Sequence, residues 1–446
     1  MLKKIYLLFS LMFMFLIIPN LVFASTGKIN TGDTAFVLFS AALVMIMTPG
    51  LAFFYGGMVS SKNVISTMMQ SFIIIAIISI QWVLFGFSLS FGGDVGHIIG
   101  NLQWLGLKNV GFEPYDAYSA TIPLMAFMIY QLMFAIITPA LITGAFAERM
   151  RFGAFLLFTL LWTTLVYDPI AHWVWGNGGW LRNLGALDFA GGTVVHISSG
   201  ISGLIAAILI GKRKNVNILP HNMPMVIMGT AILWFGWFGF NGGSALAVNG
   251  IAVNAFVVTN TAAAAAALGW VIVEWRINGK PTLFGAASGA VAGLVAITPA
   301  AGYVTAVSAI IIGIIAGILC YFSVNYLKHK FKYDDSLDAF GIHGIGGTWG
   351  AIATGIFATK VVNPGGANGL IYGNVHQFIV QIIGVIAVYV FAAIMTYSIL
   401  KFINLFMDLR VSDEEEEVGL DISQHGEGAY NNTELKYNYF SYYDNN

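Results

Sequence analysis

Asp188-Phe189-Ala190-Gly191-Gly192-Thr193-Val194-Val195-His196 and Asp338-Ala339-Phe340-Gly341-Ile342-His343-Gly344 each set a histidine in an apolar, glycine-rich run. Each run continues through small residues, Ser199 to Ala207 after the first histidine and Gly344 to Gly355 after the second. Ionisable side chains at membrane depth are costly and face a pore, a bundle interior or a partner. Two in matching contexts, one in each half of the chain, point to a single intramembrane site built from an internal repeat.

Composition agrees with a membrane location. The chain is 58% hydrophobic and 9% charged, against about 25% charged residues in a soluble domain. A net charge of −1 gives no basic surface for nucleic acid. The 51 glycines suit close helix packing in lipid. The one cysteine, Cys320, lies in an apolar run and reads as packing. An internal disulfide and a cysteine-based metal site are both excluded.

Lys3 and Lys4, the apolar run from Ile5 to Ile18, and Val22-Phe23-Ala24 before Ser25 have the form of a secretory signal peptide, residues 1–24. An uncleaved first helix is the alternative, although the run is short for a span. Eleven stretches of about 20 apolar residues follow, the length a bilayer requires. They fall near 35–55, 64–87, 122–146, 153–175, 193–210, 223–240, 253–273, 283–298, 304–327, 340–357 and 378–406. Residues 25–411 form the membrane domain and 412–446 a polar tail.

Charge placement tests that count. With the mature N-terminus outside, cytoplasmic loops receive Lys62, then Arg149 and Arg151, then Lys212, Arg213 and Lys214. Arg276 and Lys280 follow, then Lys328, Lys330 and Lys332, then Arg410. The external side receives only Lys28, Lys108, Arg182 and Lys360. This is the positive-inside pattern, and a miscounted span would invert every later loop. An N-outside, C-inside chain follows. His196 falls in span five and His343 in span ten. The expectation is an all-α integral membrane fold of eleven transmembrane helices, a 5+5 inverted repeat plus one extra helix. His196 has Gly203 and Ala206 at plus seven and plus ten; His343 has Gly350 and Ala353.

These residues resemble the ammonium transporter family (Amt/MEP, related to Rh proteins) over almost the whole mature chain. The two histidine motifs carry the resemblance, with Pro169-Ile170-Ala171-His172-Trp173-Val174-Trp175-Gly176, Gly236-Trp237-Phe238-Gly239-Phe240-Asn241-Gly242-Gly243-Ser244 and the tail from Gly419 to Tyr430. The resemblance implies a homotrimer with one pore per subunit in the bacterial inner membrane. It implies ammonium uptake without enzymatic activity, cofactor or metal. His196 and His343 correspond to twin pore histidines. Trp175 and Ser244, with Phe134 and Asp188, correspond to an external ammonium recruitment site. Phe134 and Phe240 correspond to stacked rings closing the pore. Tyr130 takes a position that is Phe in some relatives, and its hydroxyl is expected to help line the vestibule. A trimeric PII-type signalling protein is a possible cytoplasmic partner. The loop between Trp175 and Asp188 departs from some relatives: it is a residue longer and carries Trp180 and Arg182.

Bland readings stand beside these. Asp188 precedes span five, where it suits a helix N-cap as well as a cation ligand. His172 reads as packing at the outer interface; His97, His221, His329 and His376 read as solvated loop residues. Glu148 and Arg149 end span three and pair with their surroundings. A sensor with little net transport is the alternative function. A membrane hydrolase finds no H-E-x-x-H or G-x-S-x-G motif in the spans. Net charge movement per turnover is left open by the sequence.

Overall fold

The structure is a computed structural model, described for residues 28–216 and 219–430. The signal-peptide reading of residues 1–24 and the end beyond Tyr430 lie outside the described residues.

Among those residues, nine helices are long and apolar enough to cross a membrane. They are α1 (Thr31–Met58), α2 (Val64–Phe91), α3 (Leu124–Phe146), α4 (152–175, with a short helix Trp180–Leu184 beyond it), α5 (Gly192–Ile210), α6 (Met223–Gly242), α7 (Gly250–Asn278), α9 (Ala306–Phe331) and α11 (Val375–Ile403). The other two apolar stretches are helices too, α8 (Leu283–Ile297) and α10 (340–357). α8 has only 15 residues, whereas α10 has 18 but is rich in glycine, which lowers its hydropathy. Thr298 to Tyr303 form turns after α8, and α10 ends at Phe357 with Ala358 extended. Two short hairpins, β1 (Asp94–Val95) with β2 (Ile99–Gly100) and β3 (Pro114–Tyr115) with β4 (Ser119–Pro123), cover one end of the bundle.

The histidine helices α5 and α10 cross where both are reduced to backbone. A Cβ on Gly200 would lie 2.2 Å from the Gly344 nitrogen, and one on Gly347 would lie 3.0 Å from His196 Cβ. Gly200→Ala is therefore expected to force the two helices apart. Overpacking of this kind costs about 1–3 kcal/mol, and the obstacle is backbone that cannot rotate away. Thermal unfolding of the purified variant is expected to shift down, and an unchanged midpoint would contradict this crossing.

Both helices open with a π-helical turn holding the histidine, Gly192–Ile197 and Phe340–Gly344. Both turns are capped by an aspartate eight residues before the histidine. Asp188 accepts from the N–H groups of Gly191, Gly192 and Thr193 at 2.8, 2.6 and 2.7 Å. Asp335 accepts from Ala339 and Phe340 at 3.0 and 2.7 Å. Asp338, nearer to His343 in the chain, does not take this capping role. Asp338 sits at positive φ and pairs with Lys328 at 2.6 Å. α5 begins beside Trp175, whose indole donates to the Asp188 carbonyl, and ends at Gly211, whose carbonyl accepts from Arg149. α10 begins at the Arg149 end and finishes beside Tyr303, so the two helices run in opposite directions.

The tail folds back under the bundle. Asp413–Val418 (α12) starts in a Ser412 capping box, and Leu420–His425 (α13) follows. Leu420 N–H donates to Asn63 Oδ1, and Asp421 accepts from Ser66 N–H at the start of α2. Burial pushes the Asp421 carboxyl up to about 6 against those backbone N–H groups. Beneath α3, Glu148 pairs with Arg213 at 2.6 Å, and Arg213 with Asp334 at 2.8 Å. Burial opposes the Asp334 charge, but Arg213 and Arg149 outweigh it and hold the carboxyl down at about 2.

Several histidines differ from their sequence reading. His172 is fully buried, not at an interface with lipid. His221 is bonded to the Val59 carbonyl and the Tyr430 hydroxyl, tying the tail to the loop before α6. His329 and His376 are exposed, as expected, but helical, in the last turn of α9 and the first of α11. Hydropathy cannot register these partners, which come from distant segments.

Candidate functional site

Two cavities lie in line between α3, α4, α5, α6 and α10. The outer one is lined by Phe134, Trp175, Asp188 and Ser244, with Tyr303 and Gln131. The inner one is much narrower and is lined by Phe240, His196 and His343, with Trp237, Leu141 and Ile342. Seven of the residues singled out from the sequence line one cavity or the other, and Tyr130 does not.

Phe134 and Phe240 separate the two spaces. Their ring centroids are 4.4 Å apart at 42°, and each side chain is 1% exposed. Trp175 meets Phe134 edge-on at 5.8 Å. Helical register explains the pairing: Phe134 stands mid-way along α3, and Phe240 lies near the end of α6, one turn before Ser244. Ser244 donates to the Phe240 carbonyl at 2.9 Å, leaving oxygen lone pairs toward the outer cavity.

Below the phenyl pair the histidine rings stack, 5.3 Å between centroids and 18° between planes. His196 also stacks on Trp237 at 5.5 Å and under Phe240 at 6.0 Å. Both nitrogens of His196 and Nδ1 of His343 are buried with no hydrogen-bond partner among the described residues. An unmet buried polar group costs about 1–3 kcal/mol, so three together need an explanation beyond packing. Inserted between apolar walls, they offer a donor or acceptor to a small neutral guest in either tautomer.

Asp188, at the edge of the outer cavity, serves the start of α5. Besides the three N–H groups above, its carboxylate receives Val194 N–H and the Thr193 hydroxyl. Its backbone carbonyl holds the Trp175 indole at 2.8 Å. Arg182 donates to the Trp175 carbonyl at 2.7 Å and to Ala117 at 3.4 Å. Tyr130 does not line the outer cavity. It is buried, and its hydroxyl lies 3.0 and 2.8 Å from the carbonyls of Gly239 and Phe240, fixing α3 to the end of α6.

Sequence reasoning passed over Gln131. It lines the outer cavity, and its Oε1 is buried without a partner. The signal was an amide inside the otherwise apolar run of α3. Asp168, an acidic residue near the end of α4, is buried and accepts from Gln81 and Ser90 at 2.7 and 3.3 Å. Among the described residues no cluster of His, Cys, Asp or Glu is arranged to hold a metal ion.

The sequence model described as Ammonium Transporter Family matches residues 35–430. The chain is 62% identical over 400 residues to an ammonium transporter of Bacillus subtilis, covering 90% of this chain and 98% of that protein. The crystal structure of Candida albicans Mep2 superposes with a TM-score of 0.82 at 37% identity, covering 89% of this chain and 90% of the other. A solved structure described as a Sensor Amt Protein superposes with a TM-score of 0.81 at 32% identity, covering 88% and 98%. Family-wide sequence match, high identity and shared fold agree: the chain belongs to the ammonium transporter family.

Proposed function

We propose that the chain takes up ammonium through a pore running from the outer cavity, past Phe134 and Phe240, to the stacked histidines. One observation carries the reading: unpartnered imidazole nitrogens lie directly below an aromatic cap and an aromatic, oxygen-bearing outer cavity. Ammonium is attracted outside by the Trp175 and Phe134 rings, a cation–π contribution of about 0.5–2 kcal/mol. Ser244 accepts one of its N–H bonds. A bare cation in the apolar inner cavity would cost several kcal/mol, about the effective burial penalty of an ion. Ammonium avoids that cost by splitting into ammonia and a proton. Ammonia crosses along His196 and His343, which accept or donate as it passes, with or without the proton following along the rings. Potassium has no proton to release and is rejected.

In this reading the Trp175 end faces outward and the tail faces the cytoplasm. All eleven helical stretches span the membrane, N-outside and C-inside, with five repeated inverted and α11 added. The basic loops beside the tail and the opposed directions of α5 and α10 support it. By the family resemblance the assembly is a homotrimer in the bacterial inner membrane, and the tail surface is where a PII-type partner would dock. A sensor role with little net transport is the second reading, favoured by the likeness to the sensor Amt structure.

Purified protein on a solid-supported membrane tests this. A saturable current after ammonium jumps, absent after potassium jumps, is the expected result. A potassium current of equal size would defeat the selectivity argument. Silence to both, with no ammonium-linked pH change in vesicles, would favour the sensor.

A further inference from the structure

α11 is mostly exposed at the edge of the bundle. Two glutamines one turn apart, Gln377 and Gln381, interrupt its apolar run. An amide is costly in lipid, so each must turn inward and find partners. Both are 3% exposed. Gln381 finds every partner its amide can take. Its Oε1 accepts from Leu187 N–H at 2.8 Å and from Gln377 Nε2 at 3.2 Å. Its Nε2 donates to the carbonyls of Leu187 at 2.7 Å and of Ala351, on α10, at 3.2 Å. Two lone pairs and two N–H groups are all used. Reversing the amide would set its oxygen against two carbonyls, so its orientation is fixed. Gln377 donates further to the Gly185 carbonyl at 3.1 Å. α11 comes this close because α10 offers Gly355, where a Cβ would lie 3.0 Å from Gln381 Cγ.

Residues 185–189, gripped from behind by these amides, form one wall of the outer cavity. Leu187 directly precedes Asp188, whose carboxylate caps α5 and whose carbonyl holds the Trp175 indole. The wall is tied near its ends by Ala186 N–H on the Leu181 carbonyl and by Phe189 N–H on the Pro299 carbonyl. Between those ties, the N–H and carbonyl of Leu187 are held by a side chain 194 residues away. Loss of that grip frees the middle of the wall and leaves its ends in place.

We propose that Gln381 is a positioning residue for the pore entrance: its amide clamps Leu187 from α11 and so fixes Asp188 and Trp175 where a cation is received. The entrance role rests on the transport reading above; the clamp itself does not. Phe134, Phe240, His196 and His343 take no part in these hydrogen bonds. The clamp therefore acts on reception of the cation rather than on its passage, and its loss raises KM at constant maximal rate.

Gln381→Met keeps the length and bulk of the side chain and removes all four hydrogen bonds. In reconstituted vesicles its apparent KM for methylammonium is expected to rise about three- to tenfold, with the maximal rate within about twofold of wild type. Val388→Ala, fully buried about two turns further along the same face, is the packing control. It is expected to lower the unfolding temperature and leave KM unchanged. Gln377→Met removes only the Gly185 tie and one donor to Gln381. It is expected to raise KM less, and it serves if Gln381→Met does not fold. Hydrogen exchange of the Leu187 amide in lipid nanodiscs reads the clamp without transport: slow in wild type, and about tenfold faster in Gln381→Met. A rapidly exchanging Leu187 amide in wild type would overturn the clamp. Three results would overturn the positioning role: an unchanged KM in Gln381→Met (or in Gln377→Met where the first does not fold), a maximal rate that falls as far as KM rises, or an equal KM rise in Val388→Ala. Absence of uptake by wild type would overturn the transport reading, and the positioning role with it, while exchange still judges the clamp.

Discussion

The His196→Ala, His343→Ala double variant is expected to lose selective ammonium current while remaining folded. Both rings are buried and stacked, and neither is capped by a carboxylate or carbonyl. Alanine removes no structural hydrogen bond and exposes no new unpaired group. It does leave a larger apolar space between Trp237, Phe240 and Ile342. Packing loss therefore lowers stability modestly, and function suffers more. Without imidazoles, no group beside Trp237 and Phe240 accepts the proton or bonds the ammonia, and the other polar side chains of the inner cavity, Tyr55 and Asp338, are already bonded to the Leu141 carbonyl and Lys328. Positioned acid–base groups are worth about 10²–10⁴-fold, so the selective current is expected to fall by at least about a hundredfold. Electrophysiology on reconstituted protein, with potassium as the competitor, is the measurement. Wild-type uptake and selectivity in the double variant would defeat the proposed route.

Asp188→Ala is expected to have a comparable effect for a different reason. The carboxylate satisfies four backbone N–H groups and one hydroxyl at the start of α5. N-cap removal alone costs about 0.5–2 kcal/mol. Here the groups are buried, where each unmet donor costs about 1–3 kcal/mol, so a total above about 3 kcal/mol is expected. The turn carrying His196 follows directly, and the Trp175 indole hangs on the residue's own carbonyl. A lower unfolding temperature and lost transport should therefore appear together. Asp188→Asn keeps one acceptor oxygen but turns an amide N–H₂ toward other donors, so it should fall between wild type and alanine in both measurements. Transport abolished at full stability would instead make Asp188 a cation ligand.

The sequence carried more of this molecule than is usual because a membrane imposes a one-residue-at-a-time penalty. Each apolar stretch was legible by itself, and the basic residues beside the tail marked one side of the bundle. The two histidines were legible because an ionisable group in such a run is conspicuous. Their capping by aspartates was legible only at Asp188. At the second turn, the nearest aspartate in the motif, Asp338, is drawn off by Lys328, and Asp335 takes the capping position. The signal was the eight-residue spacing to the histidine, which Asp335 shares with Asp188 and Asp338 does not.

Hydropathy, charge bias and motif order thus determined the membrane class, the helical stretches, the two histidine runs and the family resemblance. Tertiary structure alone decided that the Tyr130 hydroxyl turns to α6 rather than the cavity, and that buried His172 bonds a hairpin some 80 residues away. The division has a physical cause. Burial in lipid is scored residue by residue along the chain. A stacked ring or a buried hydrogen bond between distant segments depends on register and on π-helical bends, which are fixed only when the elements pack.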